Sequence, residues 1–123
     1  MMKTLPIIVI CIAALLALSC GERPATQKGE KWGAYRTAIL DKHGADIDRF
    51  KDRLPGGYAD GKDITRYDLD QLILGIKIEL EHTSNRLIAL EIAADHLEEI
   101  PDYYTRLEEM EERYEREVKA SKK

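Results

Sequence analysis

An uninterrupted apolar run from Leu5 to Leu18 decides how much of this chain can enter a folded domain. It follows one positive charge, Lys3, and ends at the small residue Ser19 before Cys20. A basic residue, an apolar stretch and a small residue at a cut site, in that order, is the layout of a secretory signal. The stretch is 14 residues long, whereas a helix crossing a bilayer core needs roughly 20. Residues 1–19 are therefore expected to leave as a signal peptide, and the fold must be built from the remainder of the chain.

Ala17-Leu18-Ser19-Cys20 resembles a bacterial lipobox, with Ala17 where such boxes usually carry leucine. The resemblance implies that the chain is cut before Cys20 and that this thiol carries acyl chains such as palmitate, making the product a lipoprotein held at a membrane. Cleavage at another position and an uncleaved anchor are the competing readings, and the length of the run weighs against the second. Gly21 follows the cysteine where an aspartate would suggest retention at the inner membrane. In a two-membrane bacterium the resemblance thus implies the periplasmic side of the outer membrane. With Cys11 in the leader and Cys20 acylated, no thiol remains to pair. The mature chain cannot be a disulfide scaffold and must be stabilised by apolar burial.

The whole chain carries 19 basic and 23 acidic side chains, a net charge of −4. Loss of Lys3 with the leader leaves 18 basic against 23 acidic, or −5. An acidic balance argues against nucleic acid as a partner, since such binders present a basic face. It also supplies no basic patch for anionic lipid, so attachment to the membrane falls to the lipid anchor. An unidentified protein or other envelope component is the remaining class of partner.

Residues 20–31 contain the lipidated Cys20 and a polar segment with Pro24, Gly21 and Gly29 and no apolar periodicity, which reads as a flexible tether. At ~3.3 Å per residue it would reach roughly 30 Å from the bilayer. The folded domain is expected over residues 32–120. Trp32, Tyr35, Ile39 and Leu40 recur at helical spacing up to His43-Gly44, where glycine suits a left-handed helix end. Ile47, Phe50 and Leu54 suggest a second short helix with Asp46 as N-cap, stopped by Pro55-Gly56-Gly57. The stretch from Pro55 to Asp63 is turn chemistry. Thr65-x-x-Asp68 resembles a weak capping box ahead of a helix from about Arg66 to His82. Leu69, Leu72, Ile73, Ile76 and Leu80 give that helix a broad apolar stripe, which predicts the central, most buried element. Ile76 to Leu80 also alternates as a strand would, but the apolar pattern runs on too long on both sides for a strand. Gly75 inside the helix predicts close backbone approach, because glycine there costs ~1 kcal/mol against alanine.

Thr83-Ser84-Asn85 offers caps for a helix over 86–98 with Leu87, Leu90, Ala93, Ala94 and Leu97 inside. After Pro101 a last helix carries a narrow stripe through Leu107, Met110, Tyr114 and Val118. Glu109–Arg113, Glu112–Arg116 and Glu115–Lys119 are i,i+4 pairs along its polar side. The expected fold is all-α: a small bundle of four or five helices behind a flexible tether.

Chemistry has few places to sit. Glu79-x-x-His82 puts a carboxylate and an imidazole on one helical face, as in carboxylate-bridged metal sites of helical bundles. Asp95-His96 could add ligands from the neighbouring helix, so Glu79, His82, Asp95 and His96 form a candidate transition-metal cluster. In a tight antiparallel hairpin the two imidazoles would stand roughly 15–20 Å apart, and the second Glu-x-x-His is missing because Ala93 precedes His96 by three. The competing reading makes His82 and the lone His43 helix-end residues, and has Asp95 and His96 bonding to backbone or to the Tyr103-Tyr104 region. Tyr103 and Tyr104 could also line a groove. Thr65, Thr83, Ser84 and Thr105 have helix-end explanations, Asp60-Gly61-Lys62-Asp63 is too sparse for a calcium loop, and no phosphate loop or dinucleotide fingerprint occurs. No catalytic residue and no cofactor is assigned.

Glu79-Leu80-Glu81-His82-Thr83, Asp95-His96-Leu97, Pro101-x-Tyr103-Tyr104 and Leu107-x-x-Met110-Glu111, preceded by Pro55-Gly56-Gly57, resemble a small domain family of unknown function from bacterial and phage proteins. The resemblance covers about residues 54–111 and implies a domain without implying a reaction. The expected function is a membrane-anchored lipoprotein whose helical domain is a binding or accessory module of the cell envelope. The alternative is a metal-binding helical domain using Glu79, His82, Asp95 and His96, with hydrolysis as one activity open to it.

Overall fold

The computed structural model describes residues 25–122; the expected signal peptide, Cys20 and the first part of the tether lie outside the described residues. Four α-helices follow one another, α1 (Ala25–His43), α2 (Leu69–Glu79), α3 (Arg86–Glu99) and α4 (Tyr103–Ser121). Single 3-10 turns stand at Ile47–Arg49 and Ile64–Arg66, and no strand occurs among the described residues. The fold is all-α, as the periodicity predicts, and Ile76–Glu79 is helical despite its alternation.

The apolar stripe of α2 explains its position. Leu72 and Ile76 are fully buried, and α2 packs on α1, α3 and α4 in turn. Asp68 starts it by accepting the Gln71 N–H at 3.0 Å, satisfying one of the free amides of a helix start. Gly75 is where two neighbours close in. A Cβ there would stand 2.4 Å from Tyr104 Cε2 and 2.8 Å from Ala93 Cβ, so its absence admits both the α4 ring and the α3 backbone. α3 begins at Asn85, whose side chain accepts the Leu87 and Ile88 N–H groups at 3.0 and 3.2 Å. It buries Ala89, Leu90, Ala93, Ala94 and Leu97. Small residues on that face let α3 lie close along α2.

α1 begins earlier than composition suggests. Residues 25–31, read as tether, form its first turns. Gln27, Lys28, Glu30 and Lys31 are good helix formers, and they outweigh Gly29. α1 docks through Tyr35 and Ile39 and ends at Gly44, whose φ of +64° is the left-handed conformation expected there. His43 Nε2–H donates to the Ile73 carbonyl at 2.8 Å and ties this end of α1 to α2.

Two expected elements are shorter than predicted. The helix expected through Ile47, Phe50 and Leu54 is only the turn Ile47–Arg49, and Leu54 is 38% exposed. Leucine before Pro55 is pushed out of the helical region, and the N–H groups of Arg53 and Leu54 go to the Glu91 carboxylate instead of a helical ladder. The helix expected over 66–82 is only Leu69–Glu79. Asp63, not Thr65, caps the turn before it by accepting the Thr65 N–H at 2.9 Å. Leu80–His82 form a closing turn in which the Thr83 N–H reaches the Glu79 carbonyl at 3.1 Å.

α4 is the least embedded helix. Tyr104 is its one fully covered residue, while Met110 and Tyr114 are 52% and 67% exposed. Of the i,i+4 pairs expected on it, Glu112–Arg116 and Glu115–Lys119 form at 3.6 and 3.4 Å, and Asp102–Arg106 adds one at 2.7 Å. None of the described helices is long and apolar enough to cross a membrane.

Candidate functional site

Glu91, Asp95 and Glu98 stand at i, i+4 and i+7 on α3 and face the long segment between α1 and α2. Each takes hydrogen bonds from it. Glu91 Oε1 accepts the N–H groups of Arg53 and Leu54, both at 2.7 Å. Asp95 Oδ1 accepts the Ala59 N–H at 2.8 Å. Glu98 accepts the Lys62 ammonium on Oε1 and the Tyr67 hydroxyl on Oε2, the latter at 2.8 Å. The Lys62 ammonium first, and the Tyr67 hydroxyl second, hold the Glu98 carboxyl below the usual carboxylate range. Burial, then the bond to Glu98, pushes the Tyr67 hydroxyl well above the ordinary tyrosine value. The segment thus runs beside α3 in the same direction, held at three levels by one acidic stripe.

The same segment brings further carboxylates in. Asp52 Oδ2 accepts the Gly61 N–H at 2.8 Å and Asp60 Oδ2 accepts the Gly56 N–H at 3.0 Å. Gly56 and Gly61 hold φ of +85° and +71°, conformations costly for any other residue. Carboxylate oxygens of Asp52, Asp60 and Glu91 come within 4.8 Å of one another. Glu91 is 2% exposed and its Oε2 has no hydrogen-bond partner. Asp95 is adjacent: the position a Cβ of Gly57 would occupy lies 2.5 Å from both Asp95 oxygens and 2.8 Å from Asp60 Oδ1.

On the other face of α3, a buried polar group crosses the α2–α3–α4 core. Tyr104, fully covered, donates its hydroxyl to Glu79 Oε1 at 2.7 Å. Burial, and then the Glu79 carboxylate, pushes that hydroxyl far above the ordinary tyrosine value. His96 Nε2 lies 3.7 Å from the same Glu79 oxygen, and the His96 ring stacks on Tyr103 at 4.3 Å between centroids and 3° between planes. Tyr104 meets Tyr103 edge-on at 5.0 Å.

These positions sort the residues singled out from the sequence. Glu79 and His96 come together. Asp95, next in sequence to His96, faces the Gly57–Asp60 loop. His82 is exposed in the turn beyond α2. No three of Glu79, His82, Asp95 and His96 gather ligand atoms within 4.8 Å of one another among the described residues. Tyr104 does not line a groove; it is core. Tyr103 does line a shallow recess, with Ile100, Leu107 and Met110.

A family model described as "Protein of unknown function (DUF5661)" matches residues 36–113, more than half of the chain. The chain belongs to this family. The match takes in the acidic stripe, the loop that it holds and the Glu79–Tyr104–His96 group, and starts earlier than the motifs at 54–111 suggest. Neither the curated proteins nor the solved structures give a match.

Within this DUF5661 domain, sequence reasoning missed Asp52, Glu91 and Glu98, and it set Asp60 aside as part of a stretch too sparse for a calcium loop. A usable signal existed. Glu91 interrupts the apolar run Leu90–Ala94, and with Asp95 and Glu98 it repeats at helical spacing, which places three carboxylates on one face. Chemically, the two groups differ. Glu79 and Tyr104 form a buried hydrogen-bonded pair, with the part-exposed His96 beside it, suited to holding helices together. The Asp52–Asp60–Glu91 group is negatively charged, oxygen-only and open on the sides of Asp52 and Asp60.

Proposed function

We propose that this protein is an exported lipoprotein whose small helical domain serves as a binding or accessory module at a membrane surface of the cell envelope. One observation carries the reading: the apolar run Leu5–Leu18 ends directly at Ser19-Cys20-Gly21, after a single basic residue. No cysteine follows Cys20 in this sequence, so on this reading the domain is stabilised by apolar burial rather than by disulfides despite an oxidising compartment. The acidic balance leaves membrane attachment to the acyl chains, and the exposed Met110 and Tyr114 on α4 offer apolar contact area to a protein partner.

The test is fractionation of cells expressing the full chain or its Cys20→Ser variant. Wild-type protein is expected in the membrane fraction, resistant to salt washes and released by detergent. The variant is expected to lose lipid labelling and the mature form made by cutting before residue 20. A wild-type protein found in the aqueous fraction contradicts the reading. So does a variant that stays in the membrane at the same apparent mass as the wild type, which would indicate an uncleaved anchor.

A further inference from the structure

We propose that Asp52, Asp60 and Glu91 form a binding site for a hard divalent cation, Ca2+, between the 52–61 loop and α3. The three carboxylates offer oxygens that all lie within 4.8 Å of one another. Two oxygens bound to one Ca2+ at 2.3–2.6 Å stand at most about 5 Å apart, so the spacing suits a shared ion. The donor set is entirely carboxylate, which suits calcium, magnesium or manganese over the softer transition metals. Calcium tolerates irregular arrangements, whereas magnesium demands a near-ideal octahedron. Ligands drawn from a glycine-rich loop and one helix favour calcium.

Glu91 supplies an independent observation. It is 2% exposed, yet Oε2 accepts no hydrogen bond. A buried carboxylate oxygen without a partner is strongly unfavourable, and a chain normally covers it with a donor or a cation. Its other oxygen is held by the Arg53 and Leu54 N–H groups, which leaves the carboxylate fixed in place. Among the described residues, no Lys, Arg or His nitrogen forms an ion pair with Asp52, Asp60 or Glu91. Three negative charges therefore meet without a protein cation. Asp52 and Asp60 are exposed, which gives an ion a route in and room for waters. Bound there, Ca2+ clamps the loop onto α3.

The experiment is calorimetric titration of CaCl2 into the purified, chelator-treated full chain, with melting curves recorded alongside. The wild type is expected to bind one equivalent saturably and to melt at a higher temperature with the ion. Asp52→Asn and Asp60→Asn keep an acceptor oxygen for the Gly61 and Gly56 N–H groups, so the loop keeps its bonds. Each is expected to weaken binding by about tenfold or more, and the double variant to abolish it along with the rise in melting temperature. Asp70→Asn, on α2 outside the cluster, is expected to bind as the wild type does. The proposal is overturned if the wild type shows no saturable binding up to about 5 mM, beyond the weakest ordinary class of protein calcium sites. It is equally overturned if the double variant binds as tightly as the wild type.

Discussion

At the scale of single residues, two positions are locked together in the core. Gly75 is one. Alanine there gains about 1 kcal/mol of helix propensity, but its methyl would meet the Tyr104 ring and the Ala93 Cβ at 2.4–2.9 Å. Tyr104 is fully covered and hydrogen-bonded, so its ring cannot swing aside, and overpacking of this kind costs about 1–3 kcal/mol. Gly75→Ala is therefore expected to lower the urea midpoint, and an unchanged or higher midpoint would contradict the packing described. Tyr104 is the other. Tyr104→Phe keeps the ring and strands Glu79 Oε1 without its donor, a loss of about 1–3 kcal/mol. The pH dependence of that loss has a definite sign. The Tyr104 hydroxyl titrates higher in the folded chain than in the unfolded one, near 10. Its contribution is complete below pH 10 and is lost as pH climbs toward the folded value. Denaturation at pH 8 and pH 11 should show the wild type losing more stability over that interval than Tyr104→Phe does. Equal losses would mean that the hydroxyl does not titrate higher in the folded chain than in the unfolded one.

Among elements, α3 has two working faces. Its alanines close on α2 around Gly75, and its carboxylates hold the segment between α1 and α2. α2, α3 and α4 were readable from apolar periodicity because their stripes are local patterns. The Asn85 cap and the Gly44 stop were readable because such signals act within a turn of their own positions. The rest was hidden for physical reasons. Arg53 and Leu54 donate to a carboxylate 38 and 37 residues away, and no local window shows that competition with helix formation. The Glu79-x-x-His82 spacing misled because α2 ends at Glu79, so His82 falls in a turn and the two side chains do not share a helical face. The partner that Glu79 does find, Tyr104, is 25 residues on. α4 yields a separate prediction. Beyond Leu107 its side chains are exposed or only half-covered, and its two outer ion pairs are solvent-screened. Backbone amides of residues 112–121 are expected to exchange with solvent at least about a hundredfold faster than those of α2. Comparable protection would show that the outer half of α4 is covered by something.

For the whole molecule, the charge balance and the start of the chain combine into one picture. On the lipoprotein reading proposed above, removal of the leader leaves a net −5, which an anionic membrane surface repels, so residence there would depend on acyl chains. A single short chain binds a bilayer only marginally, while two or more hold firmly, so on that reading acylation at Cys20 is the step on which location rests. The most direct measurement is intact-mass and N-terminal peptide mass spectrometry of the native protein extracted from membranes. The account predicts a chain beginning at Cys20 and heavier than its sequence by the mass of attached acyl groups. An intact leader, or an unmodified Cys20 in water-soluble material, would contradict it.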